Sequence, residues 1–207
     1  MSILYHNSDM LDYALSVESP LVLLHVFASH KRFGGGWRNH SNAQEEYLFN
    51  RTPLREKEPP EGSYPIDGEN GRTGFVIDIV GYLAFAFIPA PVAEHANDWT
   101  LVDRARRLAE LATVGGYEHV ISGAWGCGVF KNDPKEVARA LRTAFQTYSG
   151  TLHLCFLDDA TLSVFRDAIE APTPRAYGAR PPAKFAREIG MTADEILKSR
   201  VKKREAR

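Results

Sequence analysis

Cysteine is nearly absent from this 207-residue chain: Cys127 and Cys155 are the only two. Two thiols cannot frame a disulfide-stapled fold, and no His/Cys/Asp cluster has metal-ligand spacing, so no structural zinc is expected. A cationic segment ahead of an apolar stretch is missing from the N-terminus, and with so little cysteine this leads us to expect an unexported, cytoplasmic protein. Long apolar runs are missing too. The longest, Ile79 to Ala93, contains Pro89 and Pro91 and falls short of the roughly 18 residues a membrane helix needs, so no membrane partner is expected. Excess charge of one sign is also absent. A net charge of -1 excludes wholesale electrostatic attraction to nucleic acid. What remains is 44% hydrophobic and 25% charged, a globular balance in a chain long enough for one domain with a short appendage.

Leu21 to Ser29 is a continuous apolar run too short for a buried helix and reads as a central strand ending near a glycine triplet. From Asn42 to about Asn50 the pattern is helical. Residues 55–74, rich in proline, glycine and charge, read as a long surface loop. Phe75 to Val80 and Tyr82 to Ile88 are strand-like runs stopped by Pro-Ala-Pro. Trp99 to Val114 puts Leu101, Ala105, Leu108 and Ala112 on one helical stripe. After the short strand His119 to Ser122, Asp133-Pro134-Lys135-Glu136 combines an N-cap, an N1 proline and an N3 glutamate. Leu152 to Leu157 is a further strand, followed by a helix capped by Asp158 or Asp159. Alternating strands and helices predict a three-layer α/β domain over residues 1–171, with ligands beyond the strand C-termini.

Two loops carry the candidate chemistry. The first runs Phe33-Gly34-Gly35-Gly36-Trp37-Arg38-Asn39-His40-Ser41-Asn42-Ala43-Gln44-Glu45-Glu46. Three glycines allow backbone to approach a ligand, or simply punctuate a turn. A dinucleotide fingerprint fails, because Asn39 stands where its last glycine belongs. Asn42 and Glu45 have capping-box spacing, which leaves Glu46 without that structural explanation. Adjacent helical residues diverge by about 100°, so one of the two glutamates can face a ligand while the other braces the turn. Such a carboxylate can stabilise an oxocarbenium-like state at a ribose C1, or move a proton.

The second loop is Gly123-Ala124-Trp125-Gly126-Cys127-Gly128-Val129-Phe130, between a strand and the helix opening at Asp133. Its backbone N–H groups suit a diphosphate, reinforced by the helix dipole. The G-K-[ST] ending of a nucleotide triphosphatase is missing. Cys127, with no assigned base, reads as a small packed residue rather than a nucleophile.

Gly34-Gly35-Gly36, then Gln44-Glu45-Glu46 after seven residues, then Gly123 to Phe130 with Asn132-Asp133-Pro134 downstream, resembles the microbial poly(ADP-ribose) glycohydrolase family of macrodomains. The resemblance covers 21–54 and 120–144 closely and the strands between them loosely. It implies a macrodomain-like three-layer α/β/α fold with a mixed central sheet. It implies hydrolysis of O-glycosidic ADP-ribose linkages, the ribose-ribose bond of the polymer first, with ADP-ribose or an ADP-ribosylated macromolecule as partner and no cofactor. Glu46 would be the catalytic carboxylate, Glu45 its supporting neighbour, and Gln44 would help set the turn. Gly34, Gly35 and Gly36 would line the distal ribose and phosphates. Gly123, Ala124, Trp125, Gly126, Cys127, Gly128, Val129 and Phe130 would wrap the diphosphate, with Phe130 near the ribose. Where relatives commonly carry an asparagine after the strand and a proline before the glycines, this chain has Ser29 and Phe33.

The alternatives are a non-catalytic ADP-ribose reader and a hydrolase of mono-ADP-ribosyl linkages on protein or nucleic acid. Residues 172–207 form a proline-containing linker and a basic tail with 10 Lys+Arg against 4 Asp+Glu. Ala186, Gly190 and Ile196 have helix-turn-helix spacing, with Thr192 and Glu195 as a capping box, but a solvated basic helix is the expected state. A basic arm would also suit a nucleic acid or polymer.

Overall fold

The computed structural model describes residues 2–39, 41–66, 74–92 and 101–172. Among them the strands are β1 (Ser2–Asn7), β2 (Val22–Val26), β3 (Phe75–Asp78), β4 (Ala84–Phe87), β5 (His119–Gly123) and β6 (Thr151–Phe156). The α-helices are α1 (Met10–Ser16), α2 (Gln44–Arg51), α3 (Leu101–Val114), α4 (Pro134–Ala144) and α5 (Asp159–Glu170). The strands form one sheet in the order β1-β6-β5-β2-β4-β3, parallel except for the antiparallel β3–β4 pair. The mixed α/β sheet expected from the sequence is thus present.

Strand residues alternate between two cores. Leu23, Val120, Leu152 and Leu154 pack with Leu108, Val137, Leu141 and Phe165 of α3, α4 and α5. Val22, Leu24, Val26, Ile121 and Cys155 pack with residues of α1 and α2, including Leu11, Leu48 and Phe49. A sheet covered on both faces explains why β2 is buried at every position rather than alternating polar and apolar. Asp133 caps α4 through Lys135 N at 2.9 Å, and Asp158, not Asp159, caps α5 through Thr161 N at 2.7 Å.

Three expectations change. The stretch before Leu21 holds a strand and a helix, β1 and α1, which no pattern in so few residues had singled out. The Asn42–Glu45 capping box does not form: Ala43 is the N-cap of α2, with no side-chain cap, because Glu45 is engaged elsewhere. Arg104, not among the stripe residues Leu101, Ala105, Leu108 and Ala112 expected to face inward on α3, is also fully buried and donates to Pro89 O at 2.9 Å. Residues 67–73 of the long loop, Trp99, and the linker and basic tail beyond Pro172 lie outside the described residues.

Connections from β2 and β5 leave in opposite directions along the sheet, towards β4 and β6 respectively, although the two strands are paired. The point where strand order reverses leaves a crevice at the C-terminal ends. Both glycine-rich loops start there.

Candidate active site

The first loop is held by the side chains of three consecutive residues. Where β2 ends, Gln44 imitates a neighbouring strand: its Nε2 donates to His25 O at 2.9 Å and its Oε1 accepts from Phe27 N at 2.8 Å. This docks the first turn of α2 on the sheet. Glu45 accepts from Ser29 N at 2.7 Å through Oε2 and from Gly34 N at 2.9 Å through Oε1. Both its oxygens are committed to shaping the loop. Glu46 accepts from Gly36 N at 2.9 Å through Oε1, while Oε2 takes no hydrogen bond from the described residues. Glu45 is 2% exposed and Glu46 7%. Burial pushes the Glu45 carboxyl up to about 8, against the two backbone N–H groups, which favour its charged form.

Two of the three glycines are explained by the side chains packed against them. Gly35 has φ +57°, and a Cβ there would press on Glu46 Oε1 and come within 3.0 Å of Glu45 Oε2. Gly34 has φ +77°, and its Cβ would lie 2.7 Å from the Phe49 ring. The space beside the Cα atoms of Gly34 and Gly35 is therefore filled by the protein's own side chains. Phe33 stacks edge-on to Phe49 at 4.8 Å and lies 5.1 Å from Phe87, so its ring anchors the loop to the core.

The second loop divides its residues between core and surface. Trp125 is fully buried and its Nε1 donates to Ile88 O at 3.0 Å, so its ring belongs to the core. Gly123 packs against β6, since a Cβ would come within 2.5 Å of Cys155 O. Gly126 has φ +71°, and its Cβ would collide with Ala90 and lie 2.7 Å from Asn132 Nδ2. Gly128 faces open space. Val129 is 78% exposed, and half-buried Phe130 leans on His30 at 5.4 Å. Burial pushes the Cys127 thiol up to about 12, leaving it in the inert thiol form. The N–H groups of Gly126, Gly128, Val129 and Phe130 donate to no group among the described residues. Four uncommitted donors just ahead of the α4 N-terminus make a chain suited to an anion.

Half-buried Ala124 borders a cavity of about 350 Å³ beyond the ends of β1, β6 and β5, also lined by Asp9, Met10, Phe27, Gln44 and Tyr47. Among the described residues no group of three or more His, Cys, Asp or Glu could hold a metal ion.

Residues 5–57 match the family model of the microbial-type PARG catalytic domain. Among solved structures, poly(ADP-ribose) glycohydrolase from Deinococcus radiodurans in complex with ADP-ribose is 25% identical, with a TM-score of 0.64 over 82% of this chain and 84% of that one. The chain is thus similar to microbial-type PARG proteins, in sequence over residues 5–57 and in fold over most of its length. A second crystal form of the Deinococcus radiodurans complex gives 26% identity and a TM-score of 0.62 over the same shares of the two chains, 82% and 84%. The enzyme from Thermomonospora curvata bound to the inhibitor ADP-HPD shares the fold at 22% identity, with a TM-score of 0.56 over 80% of this chain and 78% of that one. Among curated proteins, none matches.

In this PARG-like chain Gly34, Gly35, Gly36, Gln44, Glu45 and Glu46 are brought together at one place, and the loop from Gly123 to Phe130 leaves the adjacent strand. His30 and Asn132 were not singled out as site residues, yet each docks one of the two loops onto the end of β4. Asn132 stands inside the motif that carried the resemblance. His30 has no sequence signal, because its partner, Ala90 O, is 60 positions away.

Proposed function

We propose that the chain is a glycohydrolase that cleaves the O-glycosidic ribose-ribose bond of poly(ADP-ribose) and releases ADP-ribose. The observation that carries this reading is the division of labour in the carboxylate pair. Glu45 has both oxygens tied to the loop backbone, whereas Glu46 is positioned through one oxygen and keeps the other for chemistry. Protonated Glu46 donates to the departing ribose oxygen as the C1–O bond breaks, and the oxocarbenium-like centre is attacked by water. The resulting carboxylate then accepts a proton from that water, which restores the acid. The N–H groups of Gly126, Gly128, Val129 and Phe130, with the positive end of α4, hold the diphosphate, and the cavity beside Ala124 takes the adenosine half. Catalysis rests on Glu46, with Glu45 and Gln44 as positioning residues.

Residues 1–171 form the catalytic domain, and the basic segment 172–207 adds phosphate contacts on a long polymer. No helix among the described residues is long and apolar enough to cross a membrane.

The test is to incubate the protein with poly(ADP-ribose), mono-ADP-ribosylated protein and mono-ADP-ribosylated DNA and to identify the products. Release of ADP-ribose from the polymer is the expected result. Release only from a mono-ADP-ribosylated substrate would move the activity to that linkage, and tight binding without any product would make the chain a reader.

A further inference from the structure

The two glycine-rich loops make their separate attachments to one short segment, Ile88–Pro91, where β4 leaves the sheet. Each of its four successive carbonyls is held by a side chain from elsewhere. Ile88 O accepts from Trp125 Nε1 at 3.0 Å and from His25 Nε2 at 3.2 Å. Pro89 O accepts from Arg104 Nη1 at 2.9 Å, Ala90 O from His30 Nε2 at 2.7 Å, and Pro91 O from Asn132 Nδ2 at 2.8 Å. Pro89 and Pro91 have no N–H and a fixed φ, so the segment cannot continue the ladder and offers its carbonyls to side chains instead.

The attachments come from both sides of the crevice. His30 belongs to the first loop, while Trp125 and Asn132 belong to the second and its junction with α4. Asn132 also ties its own loop shut: its N donates to Gly126 O at 3.1 Å and its Nδ2 reaches the same oxygen at 3.2 Å. Gly126 sits so close to Ala90 that a Cβ between them would collide. Because Ala90 O can only accept, His30 Nε2 must carry the proton, which defines the tautomer.

We infer that Ile88–Pro91 is a gauge that sets the gap between the two ligand loops, and that His30 and Asn132 are positioning residues holding those loops on it. The inference deepens the proposed function and rests on it for the ligand: the gap separates Glu46 from the N–H groups that would hold the diphosphate. A displacement of about 1 Å between them would spoil alignment for the reaction.

Amide hydrogen exchange tests the coupling without a ligand. His30→Ala is expected to speed exchange in its own loop and also at the Cys127, Lys131 and Asn132 amides, which are hydrogen-bonded within the second loop. Asn132→Ala is expected to do the converse at Gly34 and Gly36. The His30–Phe130 ring contact is a competing route between the loops, and two variants separate it from the carbonyl. His30→Gln restores a donor without a ring and is expected to recover slow exchange; His30→Phe keeps a ring without a donor and is expected to behave like alanine. Effects confined to the substituted loop, or rescue by phenylalanine rather than glutamine, overturn the gauge.

Calorimetry with ADP-ribose then reads the ligand side. His30→Ala and Asn132→Ala are each expected to weaken binding at least about five-fold, the effect of one lost hydrogen bond, and the double variant by less than the product. Product effects that simply multiply would count against a shared gauge. Should wild type bind no ADP-ribose, the functional reading fails while the exchange pattern still decides the coupling. If Asn132→Ala does not fold, the three His30 variants carry the test alone.

Discussion

At the scale of single residues, the two neighbouring glutamates differ in what their oxygens are already doing. Glu46→Gln keeps an acceptor for Gly36 N but removes the carboxyl that would transfer the proton. Turnover is expected to fall by at least about 100-fold with ADP-ribose affinity little changed, measured by product release and calorimetry. Glu45→Gln replaces one acceptor by an NH2 group facing Ser29 N or Gly34 N. A buried donor is then left unsatisfied at a cost of about 1–3 kcal/mol, read as a lower Tm together with reduced activity. The glycines of the second loop separate structure from ligand contact in the same way. Gly126→Ala combines a left-handed φ with a collision against Ala90, so a lower Tm is expected with or without ligand. Gly128→Ala adds its methyl in open space, so Tm should hold while ADP-ribose affinity falls if the diphosphate passes there. An unchanged affinity in Gly128→Ala would remove Gly128 from the binding loop.

At the scale of elements, three strands are joined by a file of histidines. His153 on β6 lies 3.1 Å from His6 Nε2 on β1 through Nδ1 and 3.0 Å from His119 Nδ1 on β5 through Nε2, and Tyr13 OH on α1 is 3.0 Å from its Nδ1. Burial, then the neighbouring His6 and His119, lower His153 to about 4, and burial also lowers His6. The folded state thus favours the neutral forms of His153 and His6, whereas the unfolded chain takes up protons near pH 6.5. Stability from these two rings is complete above about pH 6.5 and is lost as pH falls towards 4. His153→Gln is expected to flatten the dependence of Tm on pH in that window relative to wild type. Parallel curves for the two proteins would show that the file does not titrate with folding. The same file explains how β1 is held at the sheet edge, a strand too short and too mixed in pattern to stand out in the sequence.

At the scale of the whole molecule, the charge is divided between an acidic body and the basic segment after residue 171. Arg142 Nη1 donates to Ala171 O at 2.6 Å, so the end of α5 is tied to α4 before that segment starts. A chain ending at Pro172 is expected to keep its Tm and its affinity for free ADP-ribose. Its binding of the long polymer should depend less steeply on salt, because fewer phosphates are neutralised by lysine and arginine. A fall in Tm on truncation would instead make the segment part of the folded body.

Local chemistry determined what short stretches of sequence can decide: β2 from its unbroken apolar run, α4 from Asp133-Pro134, the two loops from their glycines, and the glutamate pair from its place at the start of a helix. These depend on propensities and spacings within a few residues. Only the tertiary structure decided the rest, since hydrogen bonds between distant positions leave no periodic trace. It turned Glu45 from a helix cap into a brace for Ser29 and Gly34, put Trp125 in the core, and assigned Gly35 to make room for Glu46. It also brought His30 and Asn132 to adjacent carbonyls of one segment, because β4 lies beside β2 and β2 beside β5, an order that no local pattern encodes.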